Sequence, residues 1–247
     1  SLNQAQQQLQ RTVRELRRRL QDEQIRRLSS KIEGLLQRQA AAVEELDRLA
    51  ATFAGPAGSS SRAASVQALA VEERFLSDDT ARLARDLTEL PAFVLALKGV
   101  SDELQFAAAG LERLELAGNT RRSAEAALVR LDLIARAVEQ ARQDPPAESP
   151  PQDATEPQET PDQRGPSGEA IPPLATLRVL RGLQQFLLDE TRRLDQAVVE
   201  NDDQAVVAQR QRRQLLADQQ RELAEQLQAA IAAAEASKPD TETGTPQ

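Results

Sequence analysis

The sequence predicts an all-α chain of elongated helical hairpins and coiled coil, interrupted by a disordered linker rich in Pro and acidic residues. Three observations carry the prediction. Apolar residues recur every three or four positions over long stretches, Pro is concentrated in a few short segments, and aromatic residues make up only 2% of the 247. Aromatic side chains bury about 150 to 250 Å² each, so without them a rounded core is hard to build. Ala, Leu, Gln, Glu and Arg dominate instead, which is the composition of long helices with a narrow buried seam.

The first helix is expected from Leu2 to about Ala51, a span with no Pro and one Gly. Its apolar run is Leu9, Val13, Leu16 and Leu20, then Ile25, Leu28, Ile32, Leu35, Ala42, Leu46, Leu49 and Phe53. That spacing is a coiled-coil seam, and the step of five from Leu20 to Ile25 turns the stripe around the helix near Asp22 and Glu23. Gly55-Pro56-Ala57-Gly58 followed by Ser59, Ser60 and Ser61 breaks the pattern. A second helix, from about Ala63 to Leu90, carries Leu69, Leu76, Leu83, Leu87 and Leu90. Pro91 ends it and suits the first turn of a third helix, about 92 to 117, with Val94, Leu97, Leu104, Leu111 and Leu114 inward. Gly118-Asn119-Thr120 is a stop and restart, with Thr120 as N-cap of a fourth helix that runs to about Arg142. Short loops favour antiparallel neighbours, so helices three and four are expected to fold back along one and two.

Residues 144–173 hold nine of the 13 Pro and a net charge of -6, too polar to offset the entropy of ordering. The expected organisation is therefore a helical module over 1–143, this linker over 144–173, a C-terminal coiled-coil module over 174–237 and a disordered tail over 238–247. In the C-terminal module the stripe is Leu174, Leu177, Leu180, Leu183, Leu187, Leu194 and Val198, then Leu216, Leu223, Leu227 and Ile231. The residues expected to form the interaction seam are Leu9, Val13, Leu16, Ile32, Leu35, Leu46, Leu177, Leu180, Leu187, Leu216, Leu223 and Leu227.

Composition also narrows the chemistry. Without Cys or His there is no thiol nucleophile, imidazole base, disulfide or zinc site of the usual ligands. Adjacent acids such as Glu44-Glu45, Glu72-Glu73, Asp78-Asp79 and Asp202-Asp203 point about 100° apart on a helix and do not converge on one atom. They read as caps or exposed acids, and none sits in an EF-hand loop pattern. No Gly-rich phosphate motif occurs, the Ser residues have no His to activate them, and a Ser with Lys arrangement would need Lys31 or Lys98, both expected on exposed helix surface. The expectation is a non-enzyme with no cofactor, no metal and no small-molecule substrate.

The net charge of -8 belongs largely to the linker, because residues 1–30 are basic at +4. Arg14, Arg17 and Arg18 are candidates for contact with an anionic surface. No aromatic residue stands among them to stack on a base, so nucleic acid is not an expected partner. Phe93, Phe106 and Phe186 lie on or beside the stripes, where core packing is the default.

Several stretches resemble a known group. They are Lys31-Ile32-Glu33-Gly34-Leu35-Leu36-Gln37-Arg38-Gln39, Leu90-Pro91-Ala92-Phe93-Val94-Leu95 and Ala127-Leu128-Val129-Arg130-Leu131-Asp132-Leu133-Ile134 before the linker. After it come Ile171-Pro172-Pro173-Leu174-Ala175-Thr176-Leu177-Arg178-Val179-Leu180-Arg181-Gly182-Leu183-Gln184-Gln185 and Leu216-Ala217-Asp218-Gln219-Gln220-Arg221-Glu222-Leu223-Ala224. The order resembles predicted secreted or membrane-associated coiled-coil proteins of planctomycete bacteria. The resemblance implies a setting in the bacterial cell envelope, periplasmic or secreted, and supplies no catalytic residues. A start at Ser1 fits a chain whose signal peptide has been removed, or a fragment with an upstream membrane anchor. The expected function is a scaffold or tether that self-associates or binds a partner helix. The alternative is an envelope adaptor or holdase that binds clients along its apolar seam.

Overall fold

A helix of 52 residues, α1 (Leu2–Phe53), opens the chain. It is followed by α2 (Ser59–Asp86), α3 (Pro91–Glu112), α4 (Asn119–Gln143), α5 (Pro173–Gln196) and α6 (Asp203–Ala236). These come from a computed structural model that describes residues 2–53, 59–143, 173–196 and 203–236, apart from some side chains inside the helices. Among the described residues there is no strand, and the fold is all-α. The expected disordered linker and tail lie outside the described residues, except that Pro173 opens α5. Two compact units emerge, Ser1–Val179 and Leu180–Gln247, with their boundary inside α5.

In the first unit, α1 packs on α2 and α4, and α3 packs on the same two helices, so the four close into a ring. Polar contacts give the directions. Lys31 pairs with Asp86 and Gln39 with Glu73, so α1 and α2 are antiparallel. Ser77 meets Ser101 and Gln67 meets the carbonyl of Glu112, so α2 and α3 are antiparallel. Gln39 reaches Ala124 and Asp47 meets Arg121, which sets α4 antiparallel to α1. The expected fold-back of α3 and α4 is what the structure has. Its core is made of small and branched residues, with Ala42, Leu46, Leu49, Val66, Leu69, Ala107, Leu111 and Ala124 in one cluster.

The first helix runs well past this ring. Its first buried residue is Ile25, and every described side chain before it is exposed. At 1.5 Å per residue, α1 is about 78 Å long, and along roughly its first 33 Å the described side chains are all exposed.

Several boundaries differ from expectation for physical reasons. The helix α2 starts at Ser59, four residues early, because the serines enter the first turn. The helix α3 ends at Glu112, not near 117. The amide of Glu115 donates to the carbonyl of Gly110 (3.0 Å) and that of Leu114 to Leu111 (2.9 Å), a Schellman closure with Leu114 in the left-handed region at φ 62°. Leu114 is therefore exposed and not inward. Thr120 is not the cap. It lies in the first turn of α4, buried against Gly110, where an added Cβ would overlap the Thr120 hydroxyl oxygen. Gly110 is thus the residue that lets α3 and α4 touch.

The second unit is a hairpin. The side-chain amide of Gln209 donates to the carbonyl of Leu194 (3.3 Å), and that of Gln220 to the Thr191 hydroxyl (3.1 Å), which ties α6 antiparallel to α5.

Candidate functional site

The seam residues divide into two environments. Ile32, Leu35 and Leu46 are interior residues of the four-helix ring, and Leu180, Leu187, Leu216 and Leu223 are buried in the second unit. Leu227 is half-buried. Leu9, Val13 and Leu16 are on the uncovered half of α1, at 69%, 38% and 54% exposure, and Leu20 continues the stripe at 61%. Leu177 is also half-exposed. Arg14, Arg17 and Arg18 belong to the α1 backbone, but their side chains lie outside the described part of the structure.

The exposed part of α1 carries local charge pairs. Arg19 bonds Glu15 and Arg27 bonds Glu23, each one turn apart, the favourable i to i+4 spacing. Such pairs stabilise a helix by only a few tenths of a kcal/mol each, so burial in the ring anchors the rod and these contacts support it. The result is a preformed helix with an uncovered apolar stripe.

Inside the ring the structure holds a polar layer that apolar spacing does not reveal. Gln39 donates its side-chain amide both to Glu73 (3.2 Å) and to the carbonyl of Ala124 (3.1 Å), linking three helices. Glu73 is 1% exposed, which corrects the reading of Glu72-Glu73 as a surface pair. Burial pushes its carboxyl up to about 7, and the neighbouring Glu72 adds to the rise while the Gln39 bond opposes it. Glu72 itself is on the rim, where Arg38 bridges it (2.9 Å) and Asp79 (2.8 Å). These two carboxylates raise the Arg38 guanidinium above its ordinary value. A signal was present in the sequence: Gln39 falls midway between Leu35 and Ala42, and Glu73 midway between Leu69 and Leu76, both at core spacing.

One turn along, Ser77 and Ser101 meet hydroxyl to hydroxyl at 2.8 Å, and Ser77 also donates to the Ser101 carbonyl (3.1 Å). Both are buried and satisfied by each other. They act as small residues that bring α2 and α3 close, and among the described residues no base stands in bonding distance of either hydroxyl. In the second unit Glu190 is buried between Arg193 (3.0 Å) and Arg212 (3.5 Å), a contact that fixes the α5–α6 register.

The ring ends in a cleft of about 530 Å³, where α1 leaves the bundle. Leu28, Leu83, Leu87 and Leu90 make its floor, and Arg27, Lys31, Asp86 and Glu89 its rim. Two of the rim cations are already paired, Lys31 with Asp86 (3.1 Å) and Arg27 with Glu23. Sequence spacing alone could not assemble this site, because it joins segments some 55 residues apart.

Two of the expected core aromatics are where the stripes put them, Phe93 and Phe186. Phe106 is not: it is 46% exposed on α3, and Phe75 on α2 is 55% exposed. Phe106 sits beside its stripe by one position, enough at 100° per residue to turn it outward.

Among the described residues no three His, Cys, Asp or Glu side chains converge to hold a metal ion. No helix among them is long and apolar enough to cross a membrane. Comparison with protein-family models, curated proteins and solved structures gave no significant match.

Proposed function

We propose that this chain is a non-enzymatic scaffold or tether of the bacterial cell envelope that works by helix association. The single observation that carries the reading is the uncovered stripe of Leu9, Val13, Leu16 and Leu20 on a helix already fixed by its own bundle. Apolar surface gains about 25 cal/mol per Å² when it leaves water, and a preformed helix has little further entropy to lose. The stripe follows the alternating three and four spacing of a coiled coil, so a partner helix is the natural cover. The envelope setting rests on the resemblance to planctomycete coiled-coil proteins. The reading needs no cofactor and no small-molecule substrate.

The test is photo-crosslinking in the source cell, with the reactive group at residue 16 on the stripe or at residue 37 on an exposed face of α1. The proposal expects a discrete protein adduct from position 16 and none from position 37. Equal labelling at both, or none at either, would refute it.

The exposed Phe75 and Phe106 favour the adaptor or holdase reading as the second choice, because large apolar side chains on a bundle exterior suit transient client contact. That reading expects suppression of client aggregation, lost when both are replaced by Ser. If the double variant protected clients as well as the parent, the holdase reading would fail.

A further inference from the structure

We infer that the uncovered half of α1 pairs with the same segment of a second copy of this chain, as a parallel, in-register two-stranded coil. The inference rests on the interaction reading above and names the partner at the same surface.

The stripe continues N-terminally in strict heptad spacing. Leu2, Leu9 and Leu16 occupy the d positions, and Gln6, Val13 and Leu20 the a positions. Leu throughout d with a β-branched residue at a is the combination that favours two parallel strands. Gln6 sharpens the direction. In a parallel pair it faces its own copy and the two side-chain amides can bond each other, whereas in an antiparallel pair it would face Leu16. A single polar a position of this kind fixes register.

Charge does not oppose self-pairing despite the +4 of residues 1–30. Across a parallel seam the flanking g and e positions bring Ala5 to Gln10, Thr12 to Arg17 and Arg19 to Gln24, so no like charges meet. Arg11, Arg14 and Arg18 fall at b and f positions, away from the seam. An anionic membrane suits the stripe less well, because it is narrow and contains no aromatic residue.

Geometry leaves room for the second copy. The step of five from Leu20 to Ile25 turns the exposed stripe by roughly a third of a turn from the face that Ile25, Leu28, Ile32 and Leu35 bury in the ring. A partner lying on Leu9 to Leu20 is therefore directed away from the bundle that the same helix anchors. About three heptads are available, short for an isolated coil, but each helix is nucleated by its bundle and does not have to form on binding.

The test uses the full chain in solution. Sedimentation equilibrium should give a dimer, and the paired substitutions Leu9→Glu and Leu16→Glu should raise its dissociation constant about a hundredfold or more, two buried charges in each strand being left without partners. Circular dichroism should show the bundle still folded in that variant, since neither side chain lies in the ring. The parent sequence has no Cys, so a single Gln6→Cys variant reports direction. With oxidised glutathione it should give a disulfide-linked dimer, while Gln8→Cys, on an exposed off-seam position, should not. A parent chain that stays monomeric at concentrations on the order of 100 μM would overturn the inference, as would a folded double variant that still dimerises. A dimer in which Gln6→Cys fails to crosslink would overturn the parallel register, with an antiparallel pair in its place. A monomeric chain whose position 16 still crosslinks another protein in the cell would remove self-pairing and leave the interaction reading standing. Loss of that crosslink as well would remove both.

Discussion

Glu73 puts a titratable carboxyl inside the four-helix core. Its carboxyl is pushed up to about 7 by burial, from an ordinary value of 4.5, so the folded chain holds a proton that the unfolded chain releases. Stability is therefore greatest below pH 4.5 as far as this group is concerned, falls as pH rises towards 7, and levels off above it. The full loss is about 3 kcal/mol, since each tenfold difference in proton affinity between the folded and unfolded chain is worth about 1.4 kcal/mol. Urea denaturation at pH 5 and pH 8 should show that fall, and Glu73→Gln, which keeps a partner for Gln39, should flatten it. A parent chain equally stable at both pH values would contradict the assignment. Gly110 makes a steric demand instead. A methyl group there would meet the hydroxyl and the β-carbon of Thr120, a stiff β-branched side chain, so Gly110→Ala should destabilise by about 1 to 3 kcal/mol. Thermal melts check this, and restoring stability with Thr120→Ala in the same chain, which removes the hydroxyl, would identify the contact. Neither residue was legible from composition. Gln39 and Glu73 stand at core spacing in their apolar runs, but their polar side chains read as surface residues unless that spacing is weighed over residue type, and no sequence pattern joins Gly110 to Thr120.

The elements themselves were largely readable, because helix period and helix punctuation point the same way. Pro91 at the first turn of α3 and the Gly118 turn before α4 fall where the residues predict. What failed was the end of α3. The spacing that carried Leu111 to Leu114 suggested another turn, yet backbone carbonyls at a helix end must find donors, and a Schellman closure satisfied Gly110 and Leu111 while putting Leu114 in a left-handed conformation. In α1 the sequence showed the phase step at Leu20 to Ile25 but not its meaning, which required knowing where the bundle stops. The same helix offers a test of helix propensity alone. Gly34 lies mid-helix with open space around its would-be Cβ, so Gly34→Ala should stabilise the chain by about 0.5 to 1 kcal/mol. A melting temperature unchanged or lowered by that substitution would show that the helix does not continue through residue 34. Comparing it with Gly110→Ala separates a glycine that only weakens its helix from one that its neighbour requires.

At the scale of the whole molecule, the first unit is a bundle whose longest helix outruns its partners, and the second is a helical hairpin. Composition predicted helices with narrow buried faces; the cores are lined by Ala, Leu, Ile and Val with little aromatic content, but α3 buries 13 of its 22 residues, a face wider than a seam. Apolar spacing could not separate seam that closes inside the chain from seam left for another molecule, since Leu16 and Leu46 carry the same signal. Burial separates them, and the proposed function depends on that difference. Hydrogen exchange read by mass spectrometry over a dilution series tests it most directly. Amides of residues 9–20 should be protected at high protein concentration and exchange as a solvated single helix on dilution, while those of 32–49 stay protected throughout. Protection of residues 9–20 that is absent at every concentration, or that persists unchanged on dilution, would contradict the claim that this arm is covered by a second copy of the chain.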